Sequence, residues 1–169
     1  MDLRKKLLLV VIVISLIVIA TGCGTKVLST DQVNPMNKAE IVKVQINKGN
    51  SNQKEFTDPT MIGEIIDNLN KVKVKKASVS EEKKVLDSGN VFTKDSTIII
   101  NLLTAKGQDP QSTAILLSEK ELLMPDIKSS VAMKSSVKSA RTVSYISDLD
   151  ETTLESIKAL YSLAEKSMK

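Results

Sequence analysis

Histidine is absent from the 169 residues, and cysteine occurs once. The first absence removes the Ser-His-Asp and Cys-His nucleophile arrangements. It also removes nearly every zinc, copper or non-haem iron site, because these lean on imidazole or thiolate. The default general base near neutral pH goes with it, and no cofactor is expected. With Cys23 as the only cysteine, the chain can form no disulfide within itself. Tryptophan is also missing, and there are only two Tyr and two Phe. Nothing is therefore available to stack nucleobases, and Ile, Leu and Val must fill the core. Neither a Gly-x-Gly-x-x-Gly loop nor a Walker motif is present.

Charge excludes less than its total suggests. Of 24 basic and 20 acidic side chains, Arg4, Lys5, Lys6 and Asp2 fall within residues 1–22. The remainder carries 21 basic and 19 acidic groups, a formal net charge of +2. That small surplus is no footprint for nucleic acid, and no nucleic-acid partner is expected.

What is present is concentrated near the start. Arg4-Lys5-Lys6 precedes an apolar run from Leu7 to Ala20, broken only by Ser15, and Thr21-Gly22-Cys23-Gly24 follows. A basic start, an apolar stretch and small residues at its end make a secretory signal. The alternative is a transmembrane helix, but the run falls short of the roughly 20 apolar residues that a span needs. Ala20-Thr21-Gly22-Cys23 resembles the lipobox of bacterial lipoproteins, with Ala20 where Leu is commoner. The resemblance implies a diacylglyceryl group on the sulfur of Cys23 and cleavage by a type II signal peptidase between Gly22 and Cys23. It further implies a membrane-held, extracytoplasmic protein. Each buried methylene contributes about 0.8 kcal/mol and a single acyl chain binds only marginally, so two chains on one thioether would anchor the protein without a membrane helix.

The division expected along the chain is a signal peptide over 1–22, a lipid-anchored flexible tether over 23–39, and one domain over 40–169. Thr25 to Ala39 is polar and nearly free of apolar pattern, and it reads as a connector that could reach about 50 Å when extended. Val42, Val44 and Ile46 alternate with Lys43, Gln45 and Asn47, the pattern of a half-buried strand. Lys48 to Asn52 is a turn, and Lys54-Glu55-Phe56 returns as a short strand. Thr57-Asp58-Pro59 opens a helix, capped by Thr57 or Asp58, whose buried face carries Ile62, Ile65, Ile66, Leu69 and Val72. Gly63 is expected to allow that helix to pack closely on the sheet. From Ile46 to Asp58 the order of strand, Lys-Gly-Asn turn and Phe-Thr-Asp helix start also resembles, loosely, small domains of unknown function in Gram-positive lipoproteins. That likeness brings no activity with it.

Val72 to Val79 reads as a basic strand, with Lys73, Lys75 and Lys76 as candidate contacts for an anionic ligand. Residues 80–86 predict one or two helical turns. Thr97 to Thr104 is the most apolar stretch after the signal, and predicts a central strand covered on both faces. Thr113 to Ser118 returns as a hairpin, and Glu121 to Met124 adds an edge strand. Lys128 to Ser139 combines five serines with Lys128, Lys134 and Lys138 and no acid. It predicts an exposed loop and a second candidate for anionic contacts. Thr142 to Ile146 makes a last strand. A final helix opens at Asp148-Leu149-Asp150-Glu151 and buries Leu154, Ile157, Leu160, Tyr161 and Ala164.

The fold class expected is α+β, a mainly antiparallel sheet of about five strands packed with two helices. Two Ser-x-x-Lys spacings occur, Ser80 with Lys83 and Ser135 with Lys138, but without the companion motifs of a serine–lysine enzyme. Asp148-x-Asp150-Glu151 lacks the glycine and glutamate of a calcium loop and fits a helix start better. The expected function is a membrane-anchored, non-enzymatic binding or accessory module. Its partners are the membrane, through diacylglyceryl on Cys23, and an envelope protein or anionic polymer. The alternatives are an envelope enzyme using carboxylates or Ser/Lys, and a regulator of a neighbouring envelope protein. Cys23→Ala is expected to release the chain from the membrane fraction and to remove the lipid mass; a variant that stays membrane-bound would refute lipid anchoring.

Overall fold

A computed structural model describes residues 25–49, 52–86, 94–105, 109–126 and 143–169. Its strands are β1 (Val27–Ser29), β2 (Ile41–Lys48), β3 (Asn52–Phe56), β4 (Lys73–Lys76), β5 (Ile98–Thr104), β6 (Ser112–Ser118), β7 (Glu121–Pro125) and β8 (Ser144–Ser147). The helices are α1 (Thr30–Val33), α2 (Pro59–Lys71), α3 (Val79–Leu86) and α4 (Glu151–Met168). The strands form one sheet in the order β1-β4-β8-β7-β6-β5-β2-β3, and every neighbouring pair is antiparallel. The α+β class therefore holds, but the sheet has eight strands rather than about five, the described helices number four rather than two, and Glu121–Pro125 lies inside the sheet between β8 and β6 rather than at an edge.

The core lies between one face of this sheet and the helices α2 and α4. Ile46, Ile100 and Ala114 stand opposite one another on β2, β5 and β6, and Ile98, Leu116 and Leu122 do so on β5, β6 and β7. All six are buried, as are Ile62, Ile65, Ile66 and Leu69 of α2 and Ile157, Leu160 and Ala164 of α4. Fully burying one such aliphatic side chain contributes about 1.5–3 kcal/mol. Tyr161 joins the layer and donates its hydroxyl to the Ser96 carbonyl at 2.9 Å.

Local chemistry sets the helix starts. The Asp58 carboxylate accepts from the Met61 backbone N–H at 2.8 Å, and Pro59 takes the first helical position, where its missing N–H is no loss. Asp150 caps α4 by accepting from the Thr153 N–H and hydroxyl. Ser78 and Glu81 cap α3 reciprocally: Glu81 N–H donates to Ser78 Oγ, and Ser78 N–H donates to the Glu81 carboxylate. The helix expected over 80–86 accordingly begins at Val79.

Three expectations need correction. The first concerns the tether: Val27–Ser29 is a strand of the sheet and α1 follows it directly. β1 pairs with β4, Val27 opposite Lys75 and Ser29 opposite Lys73. Thr30 is fully buried and donates its hydroxyl to the Leu69 carbonyl at 2.7 Å, while Asn34 Nδ2 donates to the Pro125 carbonyl at 3.0 Å. These ties are made by polar side chains, so the apolar pattern carries no trace of them. The second concerns Val42, expected on one strand face with Val44 and Ile46. The β2–β5 register shifts between Ile41 and Lys43, so Ile41 turns inward at 6% exposure and Val42 outward at 44%. The third concerns Gly63: a Cβ there would meet Lys38 Cε at 3.2 Å, not the sheet. Lys38 lies over this glycine and pairs with Asp67 at 2.9 Å.

A tether residue could change without effect on stability, whereas Thr30→Val removes a buried hydrogen bond. It is expected to lower the unfolding free energy by about 1 kcal/mol. Ile100→Ala, in the centre of the layer, is expected to cost about 2–5 kcal/mol. Urea titration of both variants checks this, and an unchanged midpoint for Thr30→Val would restore the tether.

Candidate functional site

Two regions collect the charged side chains that the fold brings together. One is the end of the sheet made by the start of β1, the end of β4, the start of β8 and the end of β7. The other is a cavity of about 370 Å³ between α3 and the sheet face turned away from α2 and α4.

The lysine strand does not form one face. Val74 points into the core, so Lys73 and Lys75 lie on the opposite sheet face and Lys76 falls on the core side at the strand's end. β4 is also not an edge, because β1 covers it. Lys73 approaches Asp150 at 3.9 Å, and its backbone N–H donates to Thr153 Oγ1 at 3.0 Å. Lys73 thus ties α4 to the sheet. Lys75 and Lys76 stand toward the β1 start, and the β1–β4 register carried one residue past Val27 sets Lys26 beside Lys76. Exposed Val27 and Val79 flank them in sequence. The stem of the serine- and lysine-rich segment closes at this same end through Asp126 N–H to the Val143 carbonyl, at 2.8 Å. Lys128, Lys134 and Lys138 themselves lie outside the described residues, as do Gly22 and Cys23, and so does the Ser135–Lys138 spacing.

The cavity is lined by Glu81, Lys84 and Val85 of α3, with Lys94, Thr97, Leu117, Glu121 and Ile146 beneath. Thr97 Oγ1 is buried in its wall without a hydrogen-bond partner among the described residues. Two carboxylates therefore share one cavity, the feature an acid–base enzyme would require. Glu81, however, is engaged by the Ser78 hydroxyl at 2.7 Å and the Ser78 N–H at 2.8 Å, and these hold its carboxyl below the usual range. A general acid needs the opposite displacement. Of the Ser80–Lys83 spacing, Ser80 Oγ shares a hydrogen bond with Ser78 Oγ at 3.0 Å, beside the capping box. Among the described residues, no group of three or more His, Cys, Asp or Glu is placed to hold a metal ion, and no helix is long and apolar enough to cross a membrane.

A third feature has no signal in the sequence. On the sheet face away from α2 and α4, Thr113 Oγ1 donates to Asn101 Oδ1 at 2.9 Å, and Asn101 Nδ2 donates to Gln45 Oε1 at 3.2 Å. Gln45 Nε2 in turn donates to Glu55 Oε1, and Lys43 Nζ pairs with Glu55 Oε2 at 2.9 Å. This ladder crosses β6, β5, β2 and β3, and the Lys43 hydrogen bond draws the Glu55 carboxyl below its ordinary value. Only the strand register brings these residues together, and their spacing in the chain does not reveal it. Near α4, the hydrogen bond between Lys48 and Glu165 raises the ammonium and lowers the carboxyl.

No family model, no curated protein and no solved structure matches this chain.

The carboxylates of Glu81, Asp150 and Glu165 all lie below their ordinary values, chiefly through hydrogen bonds from Ser78, Thr153 and Lys48. A depressed carboxyl contributes stability above its unfolded pKa and loses it as pH falls through the folded value. The stability curve is therefore expected to be flat near neutrality and to fall below about pH 4. Asp150→Ala is expected to cost about 1 kcal/mol at pH 7 and to flatten the acid arm, and Asp150→Asn to cost less, because the amide oxygen still caps α4. Denaturant titrations across pH check both; an acid arm unchanged by Asp150→Ala would refute the assignment.

Proposed function

We propose that this chain is a lipoprotein held on the extracytoplasmic face of a membrane by diacylglyceryl on Cys23, and that its domain is a non-enzymatic binding or accessory module. One observation carries the reading: the order of basic start, apolar run and Ala20-Thr21-Gly22-Cys23, with the first strand beginning four residues later at Val27. The lone thiol has neither a second cysteine to pair with nor a histidine to activate it, and lipid attachment is the chemistry its surroundings suit. The domain supplies an eight-stranded scaffold with mixed charges on its open face, where a partner or an anionic polymer could be held.

The cavity under α3 favours a second reading, an envelope enzyme working through Glu81 and Glu121. Against it stands the engagement of Glu81 at the helix start, which leaves that carboxylate ionised and occupied.

Crosslinking in intact cells, followed by purification from membranes, tests the module directly. The lipidated chain is expected to carry a discrete crosslinked envelope partner. If that partner is an enzyme whose turnover changes on binding, the module is a regulator. Turnover of an envelope substrate by the purified chain, abolished by Glu81→Gln or Glu121→Gln, would replace the reading with the enzymatic one.

A further inference from the structure

We infer that the domain does not hang from its lipid but sits on the membrane, with the sheet end around Lys26, Val27, Lys75 and Lys76 set against anionic lipid headgroups. The inference rests on the proposal that Cys23 carries the lipid. It departs from the expected tether, because the chain is already tied into the sheet at Val27 and pinned by Thr30 and Asn34.

Chain length supplies the first support. Three residues lie between Cys23 and Val27, so four Cα-to-Cα steps span at most about 14 Å. That is less than two Debye lengths at physiological salt, each about 8 Å. The β1 start is therefore kept close enough to the lipid surface to come within one Debye length of it.

Composition supplies the second support. Lys26 and Lys76 are exposed and Lys75 is half-buried. Val27 is 43% exposed, and Val79, three residues past Lys76, is 58% exposed. A few cations with small apolar side chains among them suit a headgroup layer, where each lysine near an anionic surface contributes about 1 kcal/mol. The Ser78 and Ser144 hydroxyls donate to Glu81 and Glu82, the acids nearest Lys75 and Lys76 in the chain, at 2.7 and 2.8 Å. Lys75 also shares a hollow of the sheet face with Glu81 and Glu121, so Lys26 and Lys76 carry most of the contact. The opposite edge, β3, lies seven strand spacings away, about 33 Å across the sheet. Seating at β1 thus leaves β3 turned from the lipid.

The test uses the full lipidated chain in vesicles of phosphatidylcholine with or without phosphatidylglycerol. Lipid occupies the sulfur of Cys23, so an introduced cysteine is the only free thiol. A fluorophore on Val27→Cys is expected to be quenched several-fold more by headgroup-nitroxide lipid than one on Gln53→Cys, and the difference should grow with phosphatidylglycerol. Lys26→Glu with Lys75→Glu and Lys76→Glu should bring the two positions together. Lys26→Glu alone, outside every strand, should shift them the same way, as should salt at about 0.5 M. Equal quenching at both positions on a lipidated chain overturns the seating and leaves the anchor standing. A chain whose mass shows no lipid on Cys23 overturns both. Quenching indifferent to phosphatidylglycerol, with the Val27→Cys label shielded by an added anionic wall polymer, assigns this end to the polymer and overturns the lipid contact.

Discussion

Ile46, Ile100 and Ala114 sit opposite one another on three adjacent strands, under two helices and out of water. One position along the same strands, on the other face, Gln45, Asn101 and Thr113 are joined by hydrogen bonds. A one-residue slip of any of these strands would put amides in the dry layer and isoleucines in water. Neither a disulfide nor a large aromatic cluster is available to hold the sheet, so its register rests on this two-sided opposition. The ladder fixes from the wet side what the aliphatic rows fix from the dry side, and the helix caps at Asp58 and Asp150 then set where α2 and α4 can lie across those rows.

The parts legible in the sequence are those with many residues in one pattern. Ile62, Ile65, Ile66 and Leu69 repeat at helical spacing, and Ile98, Ile100 and Leu102 are buried in the central strand as their composition implies. Short or irregular pieces were not legible. β1 is three residues long, and buried Thr30 and Asn34 are polar, so nothing in their pattern separates them from a linker. Val42 follows the alternation perfectly and is turned out by a bulge that no local pattern announces. At the candidate site the lysines of β4 were legible as a group, but the pleat divides them between two faces. The cavity under α3 depends on a capping box that sets the helix over β6, β7 and β8, and closeness of that kind is written only in three dimensions.

The functional reading draws on two layers of the molecule that do not overlap. The proposed address and anchor rest on residues 1–24, on the order and spacing of the basic start, the apolar run and Cys23. The domain contributes position: a sheet whose first strand begins four residues after Cys23, with both its lysine-bearing strand and the stem of a basic segment at that end. Asp58, Glu81 and Asp150 cap helices, and Glu55, Asp67 and Glu165 pair with lysines, work that holds a scaffold together.

β8 has one more property. It is the last strand in the chain, yet in the sheet it is the link between the β1–β4 pair and the remaining five strands. β2 with β3, and β5 with β6 and β7, can pair among near neighbours in sequence as soon as they exist. β4 must wait some seventy residues for the strand that joins it to β7. Contacts of such separation form slowly, and until they do, β4 and β7 each present an unpaired edge of the sort that recruits other chains. A chain cut short before Ser144 would carry both edges permanently, so integrity of residues 144–169 decides whether the molecule stays monodisperse.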